Sequence, residues 1–592
     1  MSAHSFKKAL RNGSSALALS TIALIGAPAA QASDGIYGGG STLASLAERA
    51  LSANFYVYNS SNILLLYAAI GSGSGQRIFI SNNPAQGFLG TGQDPATPPD
   101  YLFPSLGFST YPYPRIDFGA SDSPLPANFV STPGTYTAIY TTTLYNWDQI
   151  NHTTLATGST SFPTASYGQP IQLPLFEAPV AVAVNLPAVD QNTGATVAGG
   201  TTWTIKSQIP GNVYGGRIQL SSAQICAIFS GLVTDWNSTA SIAYLKADGT
   251  IGHESFAAAN TWRAGSTAGT PGTGGGTPYA SVSTPINIVY RSDGSGTSFI
   301  FTNYLKAVCP LLDDGTNGYQ TIFSTTVLPN NNFTQLINKV TAFGRTLHTV
   351  SAAGSDAVAA AVGNSSANYG YIGYLSADFV LPNNPVTSTA PYAANVQNDY
   401  LRANAVYHPG QTPTGTTVPA DFATPSPLGA EAAWTALSVP TTADFNEWNV
   451  YAQAWPATTY LPGSGTSVAI TGLSKLPLAP ADGAYPLTGT AYGFFYSCYG
   501  AGRDSVAAAT RASDVVSYLK WHYKLSSPAG NAEDVIVVNG FGPLPSASTD
   551  PFHDWTGAIN SIYLDSASST AIAAYGASPA NGCSSVTGTG AQ

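Results

Sequence analysis

Four short glycine-rich segments hold the residues whose types and spacing could do chemistry. They are residues 38–43 (GGGSTL), 71–76 (GSGSGQ), 117–123 (DFGASDS) and 291–298 (RSDGSGTS). Glycine lets the backbone approach a ligand closely, and Ser and Thr hydroxyls add rotatable donors. A helix that begins at such a turn presents free N–H groups and the positive end of its dipole. Several such turns in one chain predict a site that wraps an oxyanion from several sides.

Each segment also has a purely structural interpretation, which the residues alone leave open. Gly-Ser-Gly turns occur in ordinary loops, and Ser or Thr before a helix is commonly an N-cap. Asp122 could cap a helix, and Arg291 could form a surface ion pair with Asp293. The nucleotide fingerprints do not fit, because the chain has no G-x-x-x-x-G-K-[ST] and residues 71–76 lack the third glycine of G-x-G-x-x-G.

The elements that must position these turns follow an α/β pattern. Apolar residues at helical spacing come directly after residues 38–40, and a helix is also expected at 299–308 and at 513–525. Short apolar runs at 180–184 and 286–290 predict buried strands. The alternation of strands and helices predicts α/β layering. Three stretches rich in Pro, Gly, Thr and Ala are expected to be surface loops: 86–114, 264–280 and 384–430.

The first 32 of the 592 residues resemble an export signal. A basic start at Lys7, Lys8 and Arg11 precedes an apolar stretch, and residues 30–32 (AQA) have the form of a cleavage site. We therefore expect residues 1–32 to be a signal peptide. The mature protein is then expected in the periplasm or outside the cell, with no membrane span.

Composition supports a protein that works outside the cytoplasm. Charged residues make up 8% of the chain, against about 25% in typical soluble domains. A net charge of −10 excludes nucleic acid as an expected partner. The histidines are scattered and show no metal-ligand spacing, so neither a metal nor a cofactor is expected.

The four cysteines predict disulfides. An even number in an exported chain favours two bridges, and four cysteines allow three pairings. Sequence order favours Cys226 with Cys309 and Cys498 with Cys583.

At the four glycine-rich segments, the sequence resembles the phosphate-binding proteins of bacterial phosphate ABC transporters, and in particular their secreted DING-type relatives. Further landmarks of that family lie in register between and after them: residues 181–185 (AVAVN), 228–236 and 370–374 (GYIGY). The four cysteines also fall where DING-type proteins place two disulfides.

The resemblance implies a periplasmic-binding-protein fold of the second type, in which crossing strands join two α/β lobes around a ligand cleft. We place lobe 1 at residues 33–180 plus 455–592. Lobe 2 is placed at residues 181–454, with long loop insertions. A monomer is the family's norm, and a phosphate ABC transporter in the membrane is the partner that the resemblance suggests.

The resemblance also implies a phosphate shell, carried over position by position. Thr42, Leu43 and Ser72 would supply amides and hydroxyls, Asp122 would accept a hydrogen bond from protonated phosphate, and Arg291 would donate. Ser295, Gly296 and Thr297 would add amides and hydroxyls, with Asp293 holding Arg291 in place. Because sulfate carries no proton at neutral pH, Asp122 predicts strong preference for phosphate over sulfate.

Two other functions compete with a binding protein. A secreted phosphomonoesterase would use a similar anion cradle, and such activity is attributed to DING-type relatives. However, Thr42 and Ser72 lack an identifiable base, so no catalytic residue is expected. An extracellular adhesion module would account for the many tyrosines and polar loops, but the tryptophans form no spaced set.

Overall fold

The structure, a computed structural model, describes most of the chain after residue 34. It covers residues 35–58, 63–87, 113–132, 135–145, 147–148, 153–154, 158–187, 195–204, 218–246, 248–257, 278–363, 365–381, 390–403, 422–526, 530–577 and 581–592. The predicted signal peptide at 1–32 lies outside these ranges, as do most of the predicted loops at 86–114 and 264–280.

The strands are numbered in chain order. They are β1 (Gly35–Gly39), β2 (Leu64–Ala68), β3 (Phe118–Ser121), β4 (Ala127–Thr132), β5 (Thr135–Thr143), β6 (Trp147–Asp148), β7 (Thr153–Thr154), β8 (Ser159–Ser161), β9 (Pro170–Val184), β10 (Ala195–Ala198), β11 (Thr201–Thr204), β12 (Gln219–Leu220), β13 (Ser241–Leu245), β14 (Ile251–Ser255), β15 (Asn287–Arg291), β16 (His348–Ala352), β17 (Tyr371–Ser376), β18 (Tyr392–Ala393), β19 (Asn395–Gln397), β20 (Phe422–Ala423), β21 (Thr488–Tyr496), β22 (Cys498–Tyr499) and β23 (Ala573–Ala574).

The α-helices are numbered likewise. They are α1 (Ser45–Tyr58), α2 (Ser72–Ser81), α3 (Thr164–Tyr167), α4 (Ser222–Phe229), α5 (Gly296–Val308), α6 (Tyr319–Phe323), α7 (Thr334–Ala342), α8 (Gly354–Val362), α9 (Asp399–Ala403), α10 (Pro427–Trp434), α11 (Phe445–Trp448), α12 (Ala508–His522), α13 (Ala532–Val538) and α14 (Trp555–Ile559).

A nine-stranded sheet organises these elements, in the order β16-β15-β17-β9-β21-β3-β1-β2, with β18 beside β9. The strands within each end of the sheet are parallel to one another: β15 pairs with β16 and β17 at one end, and β1 pairs with β2 and β3 at the other. Between them run β9 and β21, which are antiparallel to each other and to their outer neighbours. This is the predicted architecture of two α/β halves joined by crossing strands, so the predicted fold class is confirmed. The lobe boundaries at 180 and 455 stay a prediction.

Burial explains why the crossing strand β9 reads as an apolar run. Residues 171–184 are all buried, since the strand pairs with β21 along Pro170–Pro179 and with β17 along Val180–Val184. A strand covered on both faces needs no polar alternation. The predicted strand at 180–184 is therefore the last third of a strand of 15 residues.

Most predicted elements are confirmed, with shifted ends. The helix expected after residues 38–40 is α1, and the strand at 286–290 is β15. The helix predicted at 299–308 begins earlier, at Gly296, because the Ser295 hydroxyl caps it by accepting from the Ser298 amide at 3.2 Å. The helix predicted at 513–525 is α12, which begins at Ala508 and ends at His522.

The prediction of a surface loop at 384–430 is wrong in part. Ala393 pairs with β9, and residues 393–399 are buried. Within the described part, the segment also forms β18, β19, β20 and the start of α10. These strands have two or three residues each, which is too short for a periodic pattern to appear in the sequence. The end of the predicted loop at 264–280 is also inside the protein, since Tyr279 and Ala280 are fully buried.

Both predicted disulfides are present, Cys226–Cys309 and Cys498–Cys583. The first joins the helix α4 to the residue that follows α5, and therefore fixes the helix whose N-terminus faces the cleft. Within the described ranges, no helix is both long enough and apolar enough to cross a lipid bilayer.

Candidate functional site

The predicted ligand residues lie where strands of the two sheet halves end. Thr42 and Leu43 follow β1, Ser72 begins α2 after β2, and Asp122 comes directly after β3. Arg291 is the last residue of β15, and Ser295 precedes α5. In α/β sheets, ligands bind beyond the carboxyl ends of the strands. The topology therefore brings all four glycine-rich segments to one cleft.

Direct contacts join the two halves across that cleft. The Gly73 amide donates to the Gly294 carbonyl at 3.0 Å, and Arg291 Nη2 donates to Thr42 Oγ1 at 2.7 Å. A methyl group at Gly296 would lie 2.6 Å from Asp122 Cβ. Only glycine fits there, so the tight approach of the two halves explains the glycine at this position.

Asp122 is a fully buried carboxyl group held by hydroxyls of its own half. The Ser41 hydroxyl donates to Asp122 Oδ1, and the Ser72 hydroxyl lies 3.3 Å from Oδ2. Tyr451 donates to the Asp122 carbonyl oxygen at 2.6 Å. Burial raises the pKa of Asp122 to about 7, although these hydroxyls and the charge of Arg291 oppose the rise. Asp122 therefore changes charge near neutral pH.

Arg291 is a buried guanidinium at the opposite wall. Its Nε donates to Asp293 Oδ1 at 2.6 Å and its Nη2 also bonds Asp293 Oδ2, so the predicted pairing of these two residues is observed. Nη1 donates to Thr297 Oγ1 at 3.2 Å and to Ser355 Oγ at 3.3 Å. Burial alone would lower the pKa of Arg291, but the Asp293 carboxylate raises it above its ordinary value. The site thus keeps a permanent positive charge.

Helix N-termini supply further donors. Gly296 and Thr297 open α5, and the first amides of a helix have no acceptor within it. The Ser295 amide already donates to the Asn331 carbonyl at 2.8 Å. Its hydroxyl oxygen accepts from Ser298, which leaves the hydroxyl proton for a ligand.

Asp117, in the third glycine-rich segment, is a structural residue. It lies just before β3, away from the cleft end of that strand, and its carboxylate pairs with Arg115 at 3.1 Å and with Arg511 at 2.8 Å. These buried ion pairs hold β3 against α12.

Sequence reasoning missed three residues of the site: Ser41, Ser355 and Tyr451. Ser41 stands next to the predicted Thr42, but its hydroxyl donates to Asp122, whereas that of Thr42 accepts from Arg291. Ser355 follows Gly354 at the start of α8, so it repeats the glycine-serine-helix pattern of the other segments. No sequence signal marks Tyr451, which reaches Asp122 from 329 residues away. Among the described residues, no group of three or more His, Cys, Asp or Glu side chains could hold a metal.

Parts of this chain are similar in sequence to known proteins. Residues 164–420 match the family model of the PBP superfamily domain. A relative named "Phosphate-binding protein", from an unknown prokaryotic organism, is 26% identical over 355 residues, covering 60% of this chain and 69% of the relative. "Alkaline phosphatase L" of Pseudomonas aeruginosa is 26% identical over 343 residues, and the match spans 58% of this chain and 60% of that protein.

Solved structures share the fold. A crystal structure of a DING protein has a TM-score of 0.50 and 20% identity, covering 93% of this chain and 99% of that chain. A human phosphate binding apolipoprotein has a TM-score of 0.50 and 21% identity, covering 94% and 99%. The resemblance to DING-type phosphate-binding proteins is thereby confirmed. The two sequence relatives thus carry different names, one for phosphate binding and one for phosphatase activity.

Proposed function

We propose that this chain is an exported solute-binding protein that captures one inorganic phosphate ion between the two halves of its sheet. The observation that carries the proposal is the convergence of Asp122 and Arg291, both buried, on one cleft lined by glycine turns and helix N-termini. A cationic donor set binds the anion. A carboxylate among those donors needs a ligand that brings its own proton.

The proposed shell uses donors from both halves. Thr42, Leu43 and Ser72 contribute amides and hydroxyls from one side, and Arg291 with the start of α5 contributes from the other. Thr42 already accepts from Arg291 at 2.7 Å, so this arginine links the two walls around the ligand.

Asp122 gives the shell its proposed selectivity. At neutral pH, phosphate still carries a proton through which it can donate a hydrogen bond to the Asp122 carboxylate, whereas sulfate presents only acceptor oxygens. Two like charges placed together at such a site cost several kcal/mol. Phosphate should therefore bind far more tightly than sulfate, with arsenate as the close competitor.

We further propose a role in phosphate uptake. A periplasmic or secreted monomer that binds phosphate could deliver it to a phosphate ABC transporter in the membrane. The PBP superfamily match and the phosphate-binding relative support this role.

Thermal unfolding with added anions tests the proposed function. Ligand that binds only the folded state stabilises it by about 2.7 kcal/mol at a hundredfold excess over Kd. Phosphate and arsenate at that excess should raise Tm by about 2 °C, and sulfate at the same concentration and ionic strength should not. Equal shifts with phosphate and sulfate would contradict the proposed selectivity, and no shift with either would contradict the function.

A phosphomonoesterase is the second candidate, because two relatives carry the name "Alkaline phosphatase L". The buried Ser41 and Ser72 hydroxyls beside Asp122 are the nucleophiles it would need. We expect the cleft to bind phosphate without turning over esters. Steady release of p-nitrophenol from p-nitrophenyl phosphate, abolished by Ser41→Ala, would favour the enzyme instead.

A further inference from the structure

The turn after β17 brings two more polar groups to the sheet edge that carries the proposed site. Because β17 runs parallel to β15, it ends at the same edge as Arg291. Ser376 and Asp378, at and just after this end, are fully buried. Among the residues that the structure describes, none lies in hydrogen-bond geometry with the Ser376 hydroxyl or with either carboxyl oxygen of Asp378.

This turn lies at the junction of the two sheet halves. Ser376 pairs with Val180, the residue where β9 passes from β21 to β17. Asp122 is tied to the same junction through Tyr451, whose hydroxyl donates to the Asp122 carbonyl and accepts from the Thr490 amide at 3.1 Å. Asp122, after β3, and Asp378, two residues beyond the end of β17, therefore belong to segments that meet at this junction from opposite halves of the sheet.

A buried carboxyl group that lacks well-aligned hydrogen bonds is far more stable when it is neutral. Burial raises the pKa of Asp378 well above its usual value, and the negative charge of Asp122 adds to the rise, whereas the Ser376 hydroxyl and the backbone amides of Asp378 and Phe379 oppose it. The cation of the site, Arg291, is already engaged by Asp293. The charged groups on the surrounding elements are Asp122 after β3, Glu177 on β9, Arg291 and Asp293 at β15, and Asp356 on α8.

We propose that Asp378 is a positioning residue for phosphate recognition, which retains a proton at the cleft floor so that Asp122 alone carries the negative charge facing the ligand. The inference rests on the proposed function. Two carboxyl groups that interact in a dry site titrate as a pair. When this pair loses its last proton, a second negative charge lies beneath the bound anion, and phosphate affinity falls.

The variant Asp378→Asn tests the proposal, because its amide matches the size of the neutral acid and cannot ionise. Asp534→Asn, on an exposed position of α13, is the matched control. Phosphate Kd is measured by calorimetry from pH 6 to pH 10 in pairs of buffers with different ionisation enthalpies, which also counts the protons exchanged on binding. Circular dichroism and Tm establish that each variant is folded.

We expect all three proteins to bind phosphate equally at pH 6. At the alkaline end, wild type and control should lose at least about tenfold more affinity than Asp378→Asn, since coupling of one pK unit corresponds to a factor of ten. Their proton exchange on binding should also exceed that of the variant.

Two outcomes overturn the inference and are distinguishable from each other. Phosphate binding by Asp378→Asn with the pH profile and proton count of wild type would refute the role of Asp378 and leave the proposed function intact. No phosphate heat from folded wild type at any pH would refute both. If the variant does not fold, the wild-type titrations alone test the inference. A wild-type phosphate affinity and a number of exchanged protons that do not change with pH would refute it.

Discussion

Replacing Asp122 with asparagine removes the one negative charge of the proposed shell and leaves its shape almost unchanged. The amide oxygen still accepts from Ser41, whose hydroxyl donates to this side chain in the wild type. Phosphate loses a charge-assisted hydrogen bond, and sulfate loses the repulsion that excludes it. The substitution should therefore weaken phosphate binding and strengthen sulfate binding at the same time.

The size of both effects follows from the free energy of the hydrogen bond between phosphate and the Asp122 carboxylate. A hydrogen bond to a charged group contributes about 1.5–3 kcal/mol, so phosphate Kd should rise roughly ten- to hundredfold at 1.4 kcal/mol per decade. Sites that satisfy one specific hydrogen bond discriminate by about 10⁴–10⁵. The phosphate-to-sulfate ratio of Asp122→Asn should fall by at least about a hundredfold from that level.

The pH dependence of the phosphate-to-sulfate ratio provides a second, independent test. Burial raises the pKa of Asp122 to about 7, so the ligand-free site gains its negative charge as pH rises through neutrality. Wild-type selectivity should therefore increase from pH 6 to pH 8 more steeply than that of Asp122→Asn, whose remaining pH dependence reflects the ionisation of phosphate itself. Competition titrations with phosphate and sulfate at each pH measure both ratios, with Asp534→Asn as the control.

One result would refute this reasoning. If folded Asp122→Asn keeps the phosphate-to-sulfate ratio of wild type, the carboxylate is not the discriminating group and serves only to hold the loop after β3.

Three further predictions concern charge, stability and the disulfide. Arg291→Ala should weaken phosphate binding about a hundredfold or more, since it removes a charge-assisted donor and leaves a buried carboxylate unpaired; an unchanged Kd in calorimetry would contradict this. Burial raises the pKa of Asp122 to about 7 and that of Glu48 to about 8, so the folded protein holds protons that the unfolded chain has lost, and the unfolding free energy of ligand-free protein should fall as pH rises from about 4, where the unfolded carboxyl groups ionise, to about 8. Thermal unfolding should show a smaller fall for Asp122→Asn, and an identical fall would contradict the assignment. Replacing Cys226 and Cys309 by alanine opens a bridge between residues 83 positions apart and should cost about 2–5 kcal/mol in denaturant unfolding; a loss below about 1 kcal/mol would contradict the expected stabilisation.

The sequence predicts the local turns of the site better than the contacts between segments that are distant in sequence. Glycine, serine and threonine before a helix define a turn within a few residues, so the segments around Thr42, Ser72 and Ser295 are readable. The charged pair Arg291–Asp293 is also local, two positions apart, and its hydrogen bonds are observed.

Contacts between distant segments are not readable in the same way. Tyr451 reaches Asp122 across 329 residues, and Thr42 meets Arg291 across 249. The short strands β18 to β20 escape prediction because two or three residues carry no period. Asp378 follows an apolar strand as an ordinary loop residue would, and only its burial sets it apart.

Calorimetric titration of ligand-stripped protein with phosphate, and separately with sulfate, tests the central claim most directly. The protein is unfolded, dialysed and refolded so that bound phosphate is removed, and circular dichroism establishes the native state before titration. The account predicts tight binding of one phosphate per chain and negligible heat from sulfate. Refolded protein that takes up no phosphate, or takes up sulfate equally well, would contradict it.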